Sequence, residues 1–208
     1  MATASPALLV RLADNKYLLG RRLSEWTNRA PALEAAVAAA AMAQDELGHA
    51  RSLYAAMQST PDAPEAYLRE EGRAQRLGMP FLERPFGHWA EFVAAVVFFD
   101  RAMTRVFEAL RSSDYEPLRQ RAAKILQEEW FHWQYGQGWL KRLAAEPKTR
   151  QAMQAAVNQI WQPTADWLAT VQDGSMDENV LTHGADDLRQ RWLDEIGALL
   201  TQCGLAMP

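Results

Sequence analysis

The chain has one cysteine, Cys203, among its 208 residues, which excludes an internal disulfide and suits a reducing cytosol. It has no apolar run near the roughly 18 residues of a membrane span. Its opening, Met1 to Leu9, is too short and too weakly basic to read as a signal peptide. No Lys/Arg run is long enough to hold nucleic acid, and the formal net charge is −4, so neither nucleic acid nor membrane is an expected partner. Strand signals are nearly absent. Gly and Pro instead punctuate long stretches whose apolar residues recur every 3.6 positions. What remains is an all-α, cytoplasmic chain, long enough to form a single domain over residues 1–208 with a core of ordinary size. Eight tryptophans are many for this length; Trp130, Trp133 and Trp139 read as core or subunit-interface anchors.

The periodicity predicts helices at 6–26, 32–57, 88–111, 116–145, 149–171 and 186–202, with a further short helix within 65–77. The first two helices share a short link, as do the third and fourth, so each pair is an antiparallel hairpin. The proline-rich connection of about 30 residues between the hairpins is long enough to cross a bundle end to end. Two hairpins joined by one long crossover is the ferritin-like four-helix arrangement rather than a simple up-down bundle. The core bundle is then residues 6–145, and the helices at 149–171 and 186–202 pack outside it.

Each of the four bundle helices carries an apolar stripe interrupted only at its middle. The interruptions are Lys16 in the first helix, Glu46 and His49 in the second, Asp100 in the third, and Glu129 and His132 in the fourth. The second and fourth helices thus each hold a Glu-x-x-His pair, which places a carboxylate and an imidazole on one helical face. Residues at one height in an antiparallel hairpin lie equally far from its turn. Lys16 and Glu46 centre on Pro31, and Asp100 and Glu129 centre between Asp114 and Tyr115, so all six polar residues fall in one layer. Asp14 points roughly 160–200° away from the stripe at 3.6 residues per turn. Glu25 lies a helix end away, and Glu128 faces a neighbouring helix or solvent. A di-iron or di-manganese centre in such a bundle uses four carboxylates and two histidines. This chain supplies five of those six ligands, and Lys16 stands at the sixth.

The runs Asp14-Asn15-Lys16, Leu23-Ser24-Glu25-Trp26 and Arg29-Ala30-Pro31 resemble the phenylacetic acid degradation proteins, the ferritin-like subunits of phenylacetyl-CoA epoxidase. So do Gln44-Asp45-Glu46-Leu47-Gly48-His49 and Glu128-Glu129-Trp130-Phe131-His132, and, near the C-terminus, Arg191-Trp192-Leu193. The resemblance implies a non-haem iron monooxygenase of several components. In such a system a catalytic di-iron subunit pairs with a related structural one. Electrons come from a separate reductase, and an aromatic acyl-CoA is epoxidised on its ring. Glu46, His49, Asp100, Glu129 and His132 match the metal ligands of the catalytic subunit, whereas Lys16 looks like the structural one.

Charge separates the alternatives. Three carboxylates and one ammonium sum to −2, enough for one divalent ion. A lysine ammonium a few ångströms from two cations would be strongly repelled at low dielectric. The site therefore holds one iron or manganese ion, or none, with Lys16 closing a buried salt-bridge network. An iron-handling protein on the same fold is a third alternative. The chain is expected to assemble as a homo- or hetero-oligomer with a related ferritin-like subunit.

Overall fold

The computed structural model describes residues 6–58, 76–171, 181 and 183–208, and among these there is no strand. The elements are α1 (Pro6–Ser24), α2 (Leu33–Met57), the single turn α3 (Pro80–Glu83), α4 (Trp89–Ala94), a π-helical segment (Ala95–Asp100), α5 (Arg101–Leu110), α6 (Glu116–Ala145), α7 (Pro147–Ala169) and α8 (Ala185–Cys203). The fold is the all-α, ferritin-like bundle. The short helix anticipated within 65–77 lies outside the described residues, except that Arg76 and Leu77 are described and are not helical.

Local chemistry sets most boundaries. Arg21 and Arg22 occupy the last turn of α1, where cations meet the negative end of the helix dipole. Pro117 lies in the first turn of α6 and Pro147 opens α7, positions where a missing N–H costs nothing. The last of these corrects the expected start at 149: Pro147 both ends α6 and begins α7. Gly204 closes α8 in the left-handed region, φ +63°, and its N–H and that of Leu205 return to the carbonyls of Thr201 and Leu200.

The helix expected at 88–111 is not uniform. Six of its residues, ending at Asp100, widen into a π turn. Such insertions are rare and concentrate at functional sites because they shift the rows of side chains on either side. Trp192, fully buried in α8, donates its Nε1–H to the Phe98 carbonyl inside this segment at 2.9 Å. α7 packs on α4, the π segment and α6, while α8 packs on α5, α6 and α7, so both lie outside the four-helix core.

Two glycines let the bundle close at the level of the charged layer. A β-carbon on Gly20 would meet Leu47 and Glu46 at 2.9–3.0 Å, and one on Gly136 would meet Val97 and Val96 at 2.9–3.0 Å. The crossover returns to α1 through two buried polar residues. Asp14 accepts hydrogen bonds from the Tyr54 hydroxyl at 2.6 Å and the Leu77 N–H at 2.7 Å, and Asn15 accepts from the Met79 N–H at 2.8 Å. Asp14 does point away from the charged layer, as its helical position requires, and spends its charge anchoring the crossover.

Candidate functional site

The four stripes meet as the hairpin geometry demands. One donor atom each from Glu46, Asp100, Glu129 and His132 lies within 4.8 Å of the others, and all four side chains are buried. His49 adjoins them, its Nδ1 3.4 Å from Glu129 Oε1, close enough for ion pairing but without hydrogen-bond alignment. Every residue of the predicted layer is therefore present in it.

Lys16 is fully buried and reaches into the middle. Its Nζ donates to Glu46 Oε1 at 2.9 Å, Asp100 Oδ1 at 2.6 Å and Glu129 Oε1 at 2.5 Å. An ammonium has three protons and no acceptor capacity, so these three bonds satisfy it completely. Its methylene stem runs through the apolar interior, with Nζ 5.7 Å from the Phe107 ring centre.

The protonation states follow from this packing. Burial alone would push the Lys16 ammonium toward neutrality, but the charges of Asp100, Glu129 and Glu46 outweigh it and hold its pKa well above the usual lysine value. Burial also opposes a charged His132, yet Asp100 and Asp45 raise its pKa well above the ordinary imidazole value. A protonated ring donates from both nitrogens, here from Nδ1 to Asp100 Oδ2 at 3.1 Å and from Nε2 to Asp45 Oδ2 at 3.3 Å. His49 is raised as well, against the cost of burial, by the Glu129 carboxylate. Asp100 is held far below the carboxylate range: burial resists its ionisation, and Lys16 and His132 overcome that. Glu46 goes the other way, to about 7, because burial and the Asp100 charge outweigh Lys16. Its Oε2 is buried and has no hydrogen-bond partner among the described residues. The layer thus sets cationic groups of its own, Lys16 and His132, against its three carboxylates.

Two residues outside the predicted set complete the wall. Glu128 Oε2 meets His49 Nε2 at 2.6 Å, and Asp45 meets the far nitrogen of His132. Each immediately precedes a Glu of the Glu-x-x-His pairs. That position is rotated about 100° from the bundle axis, so each carboxylate reaches the histidine of the facing helix. The signal was the doubled acidic residue in Asp45-Glu46 and Glu128-Glu129. Its meaning depends on α2 and α6 being neighbours, which the sequence does not state. Thr104 Oγ1, one turn beyond Asp100, lies 2.9 Å from the Asp100 carbonyl and 3.2 Å from Glu129 Oε2.

As a metal site the donor set is chemically apt, since carboxylates and imidazole suit hard or borderline divalent ions. Its arrangement is not. The Lys16 ammonium stands among three carboxylates at hydrogen-bond distance, where a cation would need those same oxygens. With Lys16 in place, the residues do not fit a two-metal centre.

A family model described as phenylacetic acid catabolic protein matches residues 2–208. The chain is 32% identical over 208 residues to the C-type subunit of the 1,2-phenylacetyl-CoA epoxidase of Escherichia coli K12, covering 97% of this chain and 83% of that one. It is 27% identical over 195 residues to the A-type subunit of the same organism's 1,2-phenylacetyl-CoA epoxidase, covering 88% of this chain and 62% of the relative. The helical bundle, the paired Glu-x-x-His helices and a match over nearly its whole length agree: the chain belongs to the phenylacetic acid catabolic protein family.

Proposed function

We propose that this chain is a ferritin-like subunit of a phenylacetyl-CoA epoxidase-type multicomponent oxygenase, and that it serves as the partner subunit rather than the one carrying the reactive metal. One observation carries the second half of this reading: Lys16 Nζ bonds Glu46, Asp100 and Glu129 at once. A buried cation held by three carboxylates does the electrostatic work a metal does elsewhere in such bundles. The retained histidines suit it too, because their ring nitrogens meet the carboxylates of Asp100, Asp45 and Glu128. The greater identity to the C-type relative than to the A-type one agrees with a division of labour between related chains. A homologous chain with four carboxylates would hold the iron, and a reductase component would supply its electrons. The substrate in this reading is an aromatic acyl-CoA, and the compartment is the cytoplasm.

A second reading keeps one iron or manganese ion on Glu46, His49, Asp100, Glu129 and His132, with Lys16 displaced. It is favoured by the clustering of donor atoms from four of those residues within 4.8 Å.

Anaerobic reconstitution with iron(II), followed by desalting and elemental analysis, tests the two readings against each other. The partner reading expects only trace iron in the wild-type chain, and co-purification with a related chain that does hold iron. Stoichiometric iron in the isolated wild-type chain, retained after chelator treatment, would overturn it. The variant Lys16→Glu, which completes the four-carboxylate, two-histidine set, is expected to gain metal.

A further inference from the structure

Outside the histidines of the charged layer, α2 and α6 leave between them a cleft of about 400 Å³, a size within the range of small-molecule sites. Three contacts between the helices fix its direction. Asp45 meets His132, His49 meets Glu128, and Arg121 bonds the Ser52 carbonyl. The helices therefore run antiparallel. Asp45 and Glu128 stand toward one end of the cleft, and Ser52 and Arg121 at the other.

The two ends differ in charge. Arg121 donates from Nε to the Ser52 carbonyl and from Nη1 to the Pro117 carbonyl, each at 2.7 Å. These bonds hold the guanidinium still without neutralising it, since neither acceptor is a carboxylate, and Nη2 keeps two further donors. Lys124, one turn along α6, lines the same cleft, is exposed, and pairs with no carboxylate among the described residues. An anchored guanidinium beside an ammonium on one helical face is built for a carboxylate. At the other end Asp45 Oδ2 and Glu128 Oε2 are given to histidines. Each residue keeps a second oxygen, which can only accept, and their side chains are 37% and 36% exposed. Between the ends lie Ile125 and Gly48. Glycine inside a helix costs about 1 kcal/mol relative to alanine. Gly20 and Gly136 have a reason for it in the helices that touch them, whereas a β-carbon on Gly48 would meet nothing within 4 Å among the described residues. What a side chain there would take up is the space of the cleft.

We infer that this cleft binds a small zwitterion. Its carboxylate sits at Arg121 and Lys124, a short apolar spacer crosses Gly48 and Ile125, and its ammonium sits at Asp45 and Glu128. Lys124 and Arg121 precede Glu128 by one and two turns of α6, so the ligand's charges stand about 6–10 Å apart at 1.5 Å per residue. An α-amino acid, whose two charges share one carbon, is too short. A dianion is repelled at the acidic end and a diamine at the basic end. An uncharged molecule leaves both ends unanswered. The site lies on the outer side of the histidines, away from Lys16, and does not depend on the reading of the chain as a partner subunit.

The test is an NMR titration of the full-length chain that follows the backbone amides of α2 and α6. The probe is ε-aminocaproate, with caproate, hexylamine and glycine for comparison. Saturable shifts at Gly48, Ser52 and Arg121 are expected with ε-aminocaproate, with about tenfold or more weaker binding of caproate and hexylamine, each of which lacks one charged hydrogen-bonding end, and none of glycine. Lys124→Glu, an exposed change that leaves packing alone, should weaken the probe about tenfold or more. Gly48→Leu should abolish binding while melting at or above the wild-type temperature, and the remote surface control Gln151→Glu on α7 should match wild type. Absence of saturable shifts in the wild type would overturn the site. So would probe binding that Lys124→Glu and Gly48→Leu leave unchanged. Caproate binding as tightly as ε-aminocaproate would overturn the zwitterion, because the acidic end would then contribute nothing.

Discussion

Replacing Lys16 by methionine tests the electrostatic account directly. Methionine nearly preserves the volume of the stem and removes only the ammonium, so packing in the Phe107 environment is largely kept. What is lost is the shared cation of three buried carboxylates at 2.5–2.9 Å. Removing one partner of a buried ion pair costs about 3–5 kcal/mol, because the remaining charge stays desolvated. Here protonation limits the damage. Glu46 already sits at about 7 with Lys16 present, and without the lysine it and its neighbours take up protons more readily. The destabilisation should therefore approach the full value of about 3–5 kcal/mol near pH 8 and shrink toward pH 6. For a chain of this size that is about 6–20 °C in melting temperature. Far-UV thermal melts or urea titrations of both proteins at the two pH values provide the measurement. Equal stability of Lys16→Met and wild type near pH 8, or a deficit independent of pH, would refute the claim that the ammonium holds the layer together.

Glu46→Gln isolates the group with the raised pKa. A carboxyl whose folded pKa lies above its unfolded value binds more protons when folded, so wild-type stability falls as pH rises from about 4.5 through about 7; the glutamine variant should show a flatter slope in urea titrations across that window. Two glycines only two residues apart should respond with opposite signs in thermal melts. Gly136→Leu collides with Val96 and Val97 and should lose about 1–3 kcal/mol or more, whereas Gly138→Ala meets nothing within 4 Å among the described residues and should gain about 0.5–1 kcal/mol. Trp192→Phe removes the donor to the Phe98 carbonyl and leaves a small void, which should cost about 1–3 kcal/mol in urea unfolding. Asp14→Ala removes the carboxylate that accepts from the Tyr54 hydroxyl and the Leu77 N–H and lies 3.5 Å from the Arg76 guanidinium, so proteolysis at Arg76 should accelerate, and stability should drop by about 2–4 kcal/mol; an unchanged cleavage rate would count against the anchoring role.

The helices were legible because their causes are local. Apolar residues every 3.6 positions, prolines at helix starts and Gly204 after α8 all act within a few residues. The layer of Lys16, Glu46, Asp100, Glu129 and His132 was legible for a related reason: hairpin geometry ties axial height to distance from a turn. The π segment was not. Nothing in Ala95-Val96-Val97-Phe98-Phe99-Asp100 distinguishes it from an ordinary buried helix, and contacts from α6, α7 and Trp192 of α8 decide it. Asp45 and Glu128 were undervalued because their partners sit on another helix, 87 and 79 residues away.

By itself the sequence determined that this protein is a helical bundle with a polar layer at mid-height, and that a lysine replaces the fourth carboxylate, since period, turn and residue type are properties of the chain as written. Only the tertiary structure decided what the lysine does there. Its charge could have swung aside. Instead it is fully buried, and its three protons go to the carboxylates of three other helical segments.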